Sequence, residues 1–164
     1  MKSYRIALAV FIALLTTAAF PQSDSRAAFE KLKSLEGSWA GKGSQGQPIQ
    51  VTFRVTSNGS AIMSEIEGSE DMISMIHLDG DRLMLTHYCA TGNQPRMVGK
   101  MTPDGKAVAF DFLDVTNFNS SQPGHMQHVV LTMLDANHHT EDWSFLTQDG
   151  KLQEHQLFDL RRTK

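Results

Sequence analysis

The stretch from Pro48 to Glu67 is typical of a β-hairpin whose register is set by its own sequence. Apolar and polar residues alternate from Ile49 to Thr56, as expected for a strand with one face in a core and the other in water. Asn58-Gly59 follows, a dipeptide that favours a tight hairpin turn. Glu65 and Glu67 then fall on the solvated face. The turn predicts three inward pairs: Val55 with Ile62, Phe53 with Ser64, and Val51 with Ile66.

The same rhythm of short strands and local turns continues to the end of the chain. Strands are predicted at 39–43, 48–56, 61–67, 72–78, 82–90, 96–101, 107–115, 126–134, 139–147 and 151–160. Because no connection is long enough for a crossover, strands that are neighbours in sequence should pair. We therefore predict an all-β fold, an up-and-down antiparallel β-barrel of about ten strands. One short helix, from Asp24 to Glu36, is predicted before it.

The first residues have the pattern of an export signal. Lys2 and Arg5 precede an apolar run from Ile6 to Leu15, and small residues follow at Thr16 to Ala19. The apolar run and the small residues after it, about 15 residues together, are shorter than the roughly 20 that span a bilayer. We predict a signal peptide at 1–19 and one barrel domain at 24–164. The protein is then exported, periplasmic or secreted, without stable membrane insertion after processing; a retained anchor is the alternative.

Composition narrows the class of partner. The formal net charge is −3 and the chain has no basic cluster, which argues against nucleic acid as a partner. Cys89 is the only cysteine, so no internal disulfide can form and the domain must rely on its core. The oligomeric state is left open by the sequence.

Loop lengths distinguish the two ends of the predicted barrel, because successive loops of an up-and-down barrel alternate between ends. One end receives the tight turns at 57–60, 79–80, 102–105 and 135–138. The other end, which we take as the mouth, receives the loops at 44–47, 68–71, 90–95, 148–150 and 116–125. The segment from Thr86 to Met97 lies at this mouth.

Candidate binding residues cluster in that segment. Pairing across Asp79-Gly80 places His87 and Cys89 on one face with Leu83 and Leu85. This face is the more apolar of the two, so His87 and Cys89 are predicted to line the cavity. Three polar side chains of the following loop and strand are predicted to form its rim: Asn93, Gln94 and Arg96. A few polar groups over an apolar cavity are typical of a small-molecule site.

A second set of candidates lies on the last three strands. The turns near Asn137 and at Asp149-Gly150 place His128 and Val130 on one face with Trp143 and Phe145, together with Glu154. The bulky apolar members indicate that this face is inward. The full predicted ligand-binding set is His87, Cys89, Asn93, Gln94, Arg96, His128, Trp143 and Glu154.

Metal and nucleophile motifs are not indicated. His125 and His128 are three apart, which places them on opposite faces of a strand. The chain has no His-Glu-x-x-His, no pair of Cys-x-x-Cys motifs and no phosphate-binding glycine loop. Cys89 and His87 are two apart on a strand and point in parallel, which disfavours thiol catalysis. No metal site and no catalytic residue is assigned, and whether the protein is an enzyme stays open.

Two resemblances concern the start of the barrel. Trp39 begins the first strand at the tight end, and Arg161 and Arg162 follow the last strand there. An arginine is therefore predicted to cover the tryptophan by a cation–π contact and to close the barrel floor. Gly37-Ser38-Trp39 resembles the opening signature of lipocalins and their calycin relatives, in which such a tryptophan–arginine pair recurs. The run from Gly37 to Gly43 is similar to the opening of nitrobindins, ten-stranded haem-binding barrels.

A third resemblance concerns the candidate site, and the nitrobindin resemblance also has an implication for it. Thr86 to Met97 resembles exported bacterial lipocalin-like proteins of unknown function. The nitrobindin resemblance implies haem as a cofactor, with His155 as its axial ligand. Strand parity, however, points His155 outward, and only a bulge or a one-residue slip would turn it inward.

Three hypotheses follow. The first, which we favour, is an exported barrel without a cofactor that binds a small apolar or amphiphilic molecule. The second is a haem protein using His155, or an enzyme using His87, His128 and Glu154 for proton transfer. The third is a structural barrel filled by its own side chains.

Overall fold

The computed structural model describes residues 24–68, 70–152 and 156–163. Predictions about the signal peptide, Glu154 and His155 lie outside these residues. The helix and strands are α1 (Asp24–Lys33), β1 (Gly37–Lys42), β2 (Pro48–Thr56), β3 (Ala61–Glu67), β4 (Met72–Asp79), β5 (Arg82–Tyr88), β6 (Gln94–Met101), β7 (Ala107–Thr116), β8 (Gly124–Asp135), β9 (His138–Thr147) and β10 (Gln156–Arg162).

The ten strands form one closed antiparallel barrel. Each strand pairs with its neighbour in sequence, and β1 closes the ring by pairing with β10, with Trp39 opposite Arg162. Closure gives every strand of the ring two hydrogen-bonded neighbours. The β7–β8 pairing ends at Asp111 and His128, short of the mouth-side ends of both strands. The predicted all-β up-and-down barrel with one short helix is confirmed.

The first hairpin has the predicted register but a different turn. Val55 pairs with Ile62, and the two further inward pairs of β2 and β3 are also those predicted. Instead of a two-residue turn, a 3-10 turn at Ser57–Gly59 joins the strands, with positive φ at all three residues. The apolar alternation of both strands fixes the register, so the change of turn does not alter which side chains face inward.

The tight end of the barrel is closed by Trp39 and α1. The Trp39 side chain is buried, and the Arg162 guanidinium carbon lies 4.1 Å from its ring centroid. Arg162 also donates hydrogen bonds to the carbonyls of Ser34 and Glu36, which ties the end of the chain to the segment after α1. Trp39 Nε1 donates to the carbonyl of Leu35 over 2.7 Å. The predicted tryptophan–arginine floor is confirmed.

Two bulges on β8 reverse part of the predicted pattern. The register with β9 shifts between Met133 and Asp135, and Leu134, at this bulge, is 54% exposed. This shift places Val129 opposite Trp143, with the side chain of His128 partly exposed. The predictions that His128 and Val130 face inward are therefore wrong. The bulge at Leu134 adds one residue to β8, so the residues between it and the second bulge face the side opposite to the predicted one. The second bulge, near residue 127, returns the start of β8 to the predicted side.

Within the described residues, no helix combines the length and apolar character needed to cross a bilayer.

Candidate functional site

A cavity of about 330 Å³ lies at the loop-rich end of the barrel. Its inner wall is provided by side chains of β2, β3, β4, β5, β8, β9 and β10, and it includes Ile66, Met72, His87, Trp143 and Phe158. Loops at the mouth provide its rim, which includes Gln47, Gly68, Glu70, Thr91 and Pro123. A mainly apolar wall with a few polar groups is the usual composition of a small-molecule pocket, and pockets of roughly 300–1,000 Å³ are the usual size.

His87 is the polar group buried in this wall. It is 0% exposed, and its Nδ1 lies 2.9 Å from the hydroxyl oxygen of Ser74, the residue opposite it on β4. Its Nε2 is buried and has no hydrogen-bond partner among the described residues. The imidazole also contacts the Trp143 ring, with 4.8 Å between ring centroids. His87 therefore brings one unsatisfied polar atom to a mainly apolar wall.

Burial also determines the charge of this imidazole. It lowers the pKa of His87 to about 4, because the charged form loses its hydration inside the barrel. At neutral pH His87 is therefore uncharged. A neutral imidazole with Nδ1 bonded to a hydroxyl presents at Nε2 either an N–H donor or a lone pair, according to the tautomer that Ser74 selects.

A second buried polar residue, Glu141, lies on the inward face of β9. Glu141 is 1% exposed; one carboxylate oxygen accepts a hydrogen bond from Trp143 Nε1 over 2.9 Å, and the other lies 3.3 Å from His139 Nε2. His139 in turn packs edge-on against Trp39, with 4.3 Å between ring centroids. The row of His139, Glu141 and Trp143 therefore connects the floor to the cavity wall, and Glu141 fixes the orientation of the Trp143 ring.

Three residues of the predicted ligand-binding set lie on the cavity surface. They are His87, Cys89 and Trp143, which belong to β5, the loop after it, and β9. The predicted facing of His87, opposite Ser74 on β4, is confirmed by the register. Contact with a ligand stays a prediction for all three.

Asn93 and Gln94 lie at the mouth, but their side chains bond to neighbouring loops and strands and do not line the cavity. Asn93 is 0% exposed, and its amide donates to the carbonyl of Gly124 at the start of β8. The Gln94 amide donates to the carbonyl of Gly92 and accepts from Thr116. Neither belongs to the described cavity lining. Their predicted place on the rim is therefore corrected to a place beside it.

Arg96 and His128 lie on the outer surface of the barrel. Arg96 is exposed and forms a bidentate ion pair with Asp114 of β7, which raises the pKa of Arg96 through hydrogen bonding and charge. His128 bonds to Asp111, whose side chain is 70% exposed. The prediction that Arg96 lines the rim is wrong because strand alternation turns its side chain outward, next to the buried Met97.

Glu154 and His155 lie outside the described residues. Ligand binding by Glu154 and haem ligation by His155 accordingly stay predictions. Among the described residues, no group of three or more His, Cys, Asp or Glu side chains is arranged to hold a metal ion.

Several polar residues of the site were missed from the sequence. Gln47 and Glu70 belong to the cavity lining. The loops carrying Gln47 and Glu70 had been placed at the mouth, so their position could have been derived. Glu141 and His139 could have been found by counting back in twos from Trp143, since these positions share a face of a strand.

Comparison with known proteins supports the fold. No protein-family profile matches the chain, and no curated protein sequence is significantly similar to it. Among solved structures, the chain is similar to the crystal structure of Rv2717c from M. tuberculosis, with a TM-score of 0.56 and 17% sequence identity. The superposition covers 84% of this chain and 98% of that one. At this identity the likeness shows a shared barrel fold alone.

Proposed function

We propose that this protein is an exported, lipocalin-like barrel that binds a small apolar or amphiphilic molecule with a hydrogen-bonding group in the part that enters the cavity. The observation that carries the proposal is the unpartnered Nε2 of His87, buried in the wall of an apolar cavity. A buried polar atom without a partner costs roughly 1–3 kcal/mol. A ligand hydroxyl or carbonyl that bonds to Nε2 would recover this cost.

The division of the barrel into two halves supports a ligand site over a filled barrel. Near the floor, large side chains such as Trp39, Phe53 and Phe110 are fully buried against one another. Toward the mouth the interior holds a cavity of about 330 Å³. The apolar wall of the cavity provides affinity by excluding water, and His87 provides orientation.

His87→Ala is expected to weaken binding of the neutral apolar dye N-phenyl-1-naphthylamine by about 1–3 kcal/mol, if the dye N–H bonds to Nε2. The dye brightens in apolar surroundings, so titration by fluorescence gives the dissociation constant. His77→Ala is the matched control, because His77 is exposed on β4. Failure of the wild-type protein to bind the dye would contradict the proposed cavity function. Equal affinities of wild type and His87→Ala would remove His87 from it.

The Cys89 thiol should react faster with a small maleimide than with a bulky one, because Cys89 lines the cavity and is only partly exposed. Saturation with N-phenyl-1-naphthylamine should slow labelling further, and mass spectrometry of the labelled chain measures the rate. Equal, fast labelling by both reagents would place the thiol outside the cavity. A visible spectrum of the same purified sample tests the alternative: a Soret band would favour the haem hypothesis over an apolar ligand.

A further inference from the structure

We propose that the ligand of this cavity is a cationic amphiphile, with its apolar body in the cavity and its positive head group in an acidic groove beside the mouth. This inference rests on the proposed function and specifies its ligand class. The acidic groove is the shallow hollow on the outer surface that is lined by Glu65, Glu67 and Asp71, together with Gln47 and Gly68.

The groove and the cavity are neighbours that share lining residues. Gln47 and Gly68 line both of them. Glu70 lines the cavity mouth itself and is the chain neighbour of Asp71 in the groove. A molecule whose body enters the cavity therefore leaves its other end close to these carboxylates. The cavity, with the unpartnered Nε2 of His87 in its wall, indicates that a ligand binds here. The groove determines the charge of the head group of that ligand.

The carboxylates of this region have no counter-charge within the part of the chain that the structure describes. Glu65, Glu67, Glu70 and Asp71 take part in none of its ion pairs, whereas carboxylates elsewhere pair with Lys33, Arg82 and Arg96. The nearest cations in register are Lys42, opposite Pro48, and Arg54, opposite Met63. Arg54 donates to the Met63 sulfur rather than to a carboxylate, and Lys42 forms no ion pair with any residue that the structure describes. The groove is therefore a negative patch open to a cation.

The described lining of the cavity carries no positive charge for an anionic head group. No lysine or arginine is among its described lining residues, and its one buried imidazole is uncharged at neutral pH. Arg96, which the sequence had placed on the rim, is bound to Asp114 on the outer surface. A fatty acid would leave its carboxylate near Glu70 without a partner, and like charges repel. The arrangement therefore selects against anionic amphiphiles and in favour of cationic ones.

The cavity volume limits the apolar body. At about 330 Å³, it is roughly twice the ~150 Å³ engineered cavity that binds benzene. A single alkyl chain of about ten carbons or a fused two-ring aromatic group is of this size. A double-chain lipid is not.

The test compares three molecules that share a ten-carbon chain and differ in head charge: decylamine, 1-decanol and decanoate. Each is titrated at pH 7 against protein loaded with N-phenyl-1-naphthylamine, and displacement of the dye gives the dissociation constant. Decylamine carries a positive charge at this pH, as a lysine side chain does. We expect decylamine to bind about tenfold more tightly than decanol, and decanoate to bind more weakly than decanol.

Two double variants localise the effect. Glu67→Gln/Glu70→Gln should reduce the preference for decylamine over decanol to within about twofold while decanol binds as before. The control, Glu30→Gln/Asp81→Asn, removes the same charge from exposed sites away from the mouth and should keep the tenfold preference. In 1 M salt the preference should shrink, because charges are then screened within roughly 3 Å.

The outcomes separate the two proposals. If the dye binds but decylamine is no better than decanol, the cationic ligand class is wrong and the apolar binding function stands. A preference that survives in Glu67→Gln/Glu70→Gln would also overturn the acidic groove as its cause. If neither the dye nor any ten-carbon probe binds, the proposed function itself fails.

Discussion

Trp39→Ala is expected to lower the free energy of unfolding by about 3–5 kcal/mol, as deletions of large buried aromatic side chains do. Trp39 is 1% exposed and is held by the carbonyl of Leu35, by Arg162 and by the edge of His139. Its removal opens the floor, and it leaves the Arg162 guanidinium without the ring that it covers. Few single substitutions in this chain remove so many contacts at once.

Urea unfolding followed by far-UV circular dichroism measures this loss. Leu134→Ala is the control, because Leu134 is exposed at the β8 bulge and should change the free energy of unfolding by less than about 0.5 kcal/mol. At low denaturant, folded Trp39→Ala should still bind N-phenyl-1-naphthylamine, since the cavity is at the opposite end. Equal stability of Trp39→Ala and wild type would show that the ring does not close the barrel.

Acidification from pH 6.5 to 4 is expected to cost the wild-type protein about 3 kcal/mol of stability that a His87→Gln variant keeps. In the unfolded chain this imidazole has its ordinary pKa of roughly 6.5, and burial lowers the pKa to about 4 in the folded protein. Between these values the unfolded state binds the additional proton, so falling pH favours unfolding. The contribution is fully present above pH 6.5 and is lost by pH 4.

The measurement is the free energy of unfolding of both proteins at half-unit steps from pH 7 to 4. Taking the difference between wild type and variant removes the titration of carboxylates, which both chains share. His87→Gln keeps a polar group near Ser74 but does not titrate. Parallel pH profiles would mean that His87 is not held neutral in the barrel wall, and the argument from its unpartnered Nε2 would fall with it.

The strand order and the floor were predictable because they depend on patterns that span many residues. Alternation from Ile49 to Thr56 leaves one register that buries an apolar face. Short connections leave one strand order, and the order determines which loops share an end. Trp39 and Arg162 then meet because the first and last strands both reach the tight end.

The error in the predicted facing of His128 has a local cause. Val129, Val130 and Leu131 are consecutive and apolar, so the sequence of β8 does not distinguish its inner from its outer face. Only the bulge at Leu134 decides between them, and a bulge of this kind leaves no pattern that alternation can detect.

The rim was harder to predict because its side chains have competing partners. Asn93 is polar and near the mouth, yet its amide nitrogen donates to the carbonyl of Gly124, which lies far away in sequence. Arg96 likewise forms an ion pair with Asp114, its partner across the β6–β7 ladder. Polar residues at a mouth can serve the ligand or the loops, and composition alone does not separate the two roles.

The two tryptophans of the chain are distributed so that each end of the barrel has its own optical reporter. Trp39 lies in the floor beneath Arg162, and Trp143 lies in the cavity wall with its N–H held by Glu141. A ligand in the cavity touches the environment of Trp143 and leaves that of Trp39 unchanged. In a Trp39→Phe chain, all remaining indole emission comes from the binding site, so occupancy can be followed without any added dye.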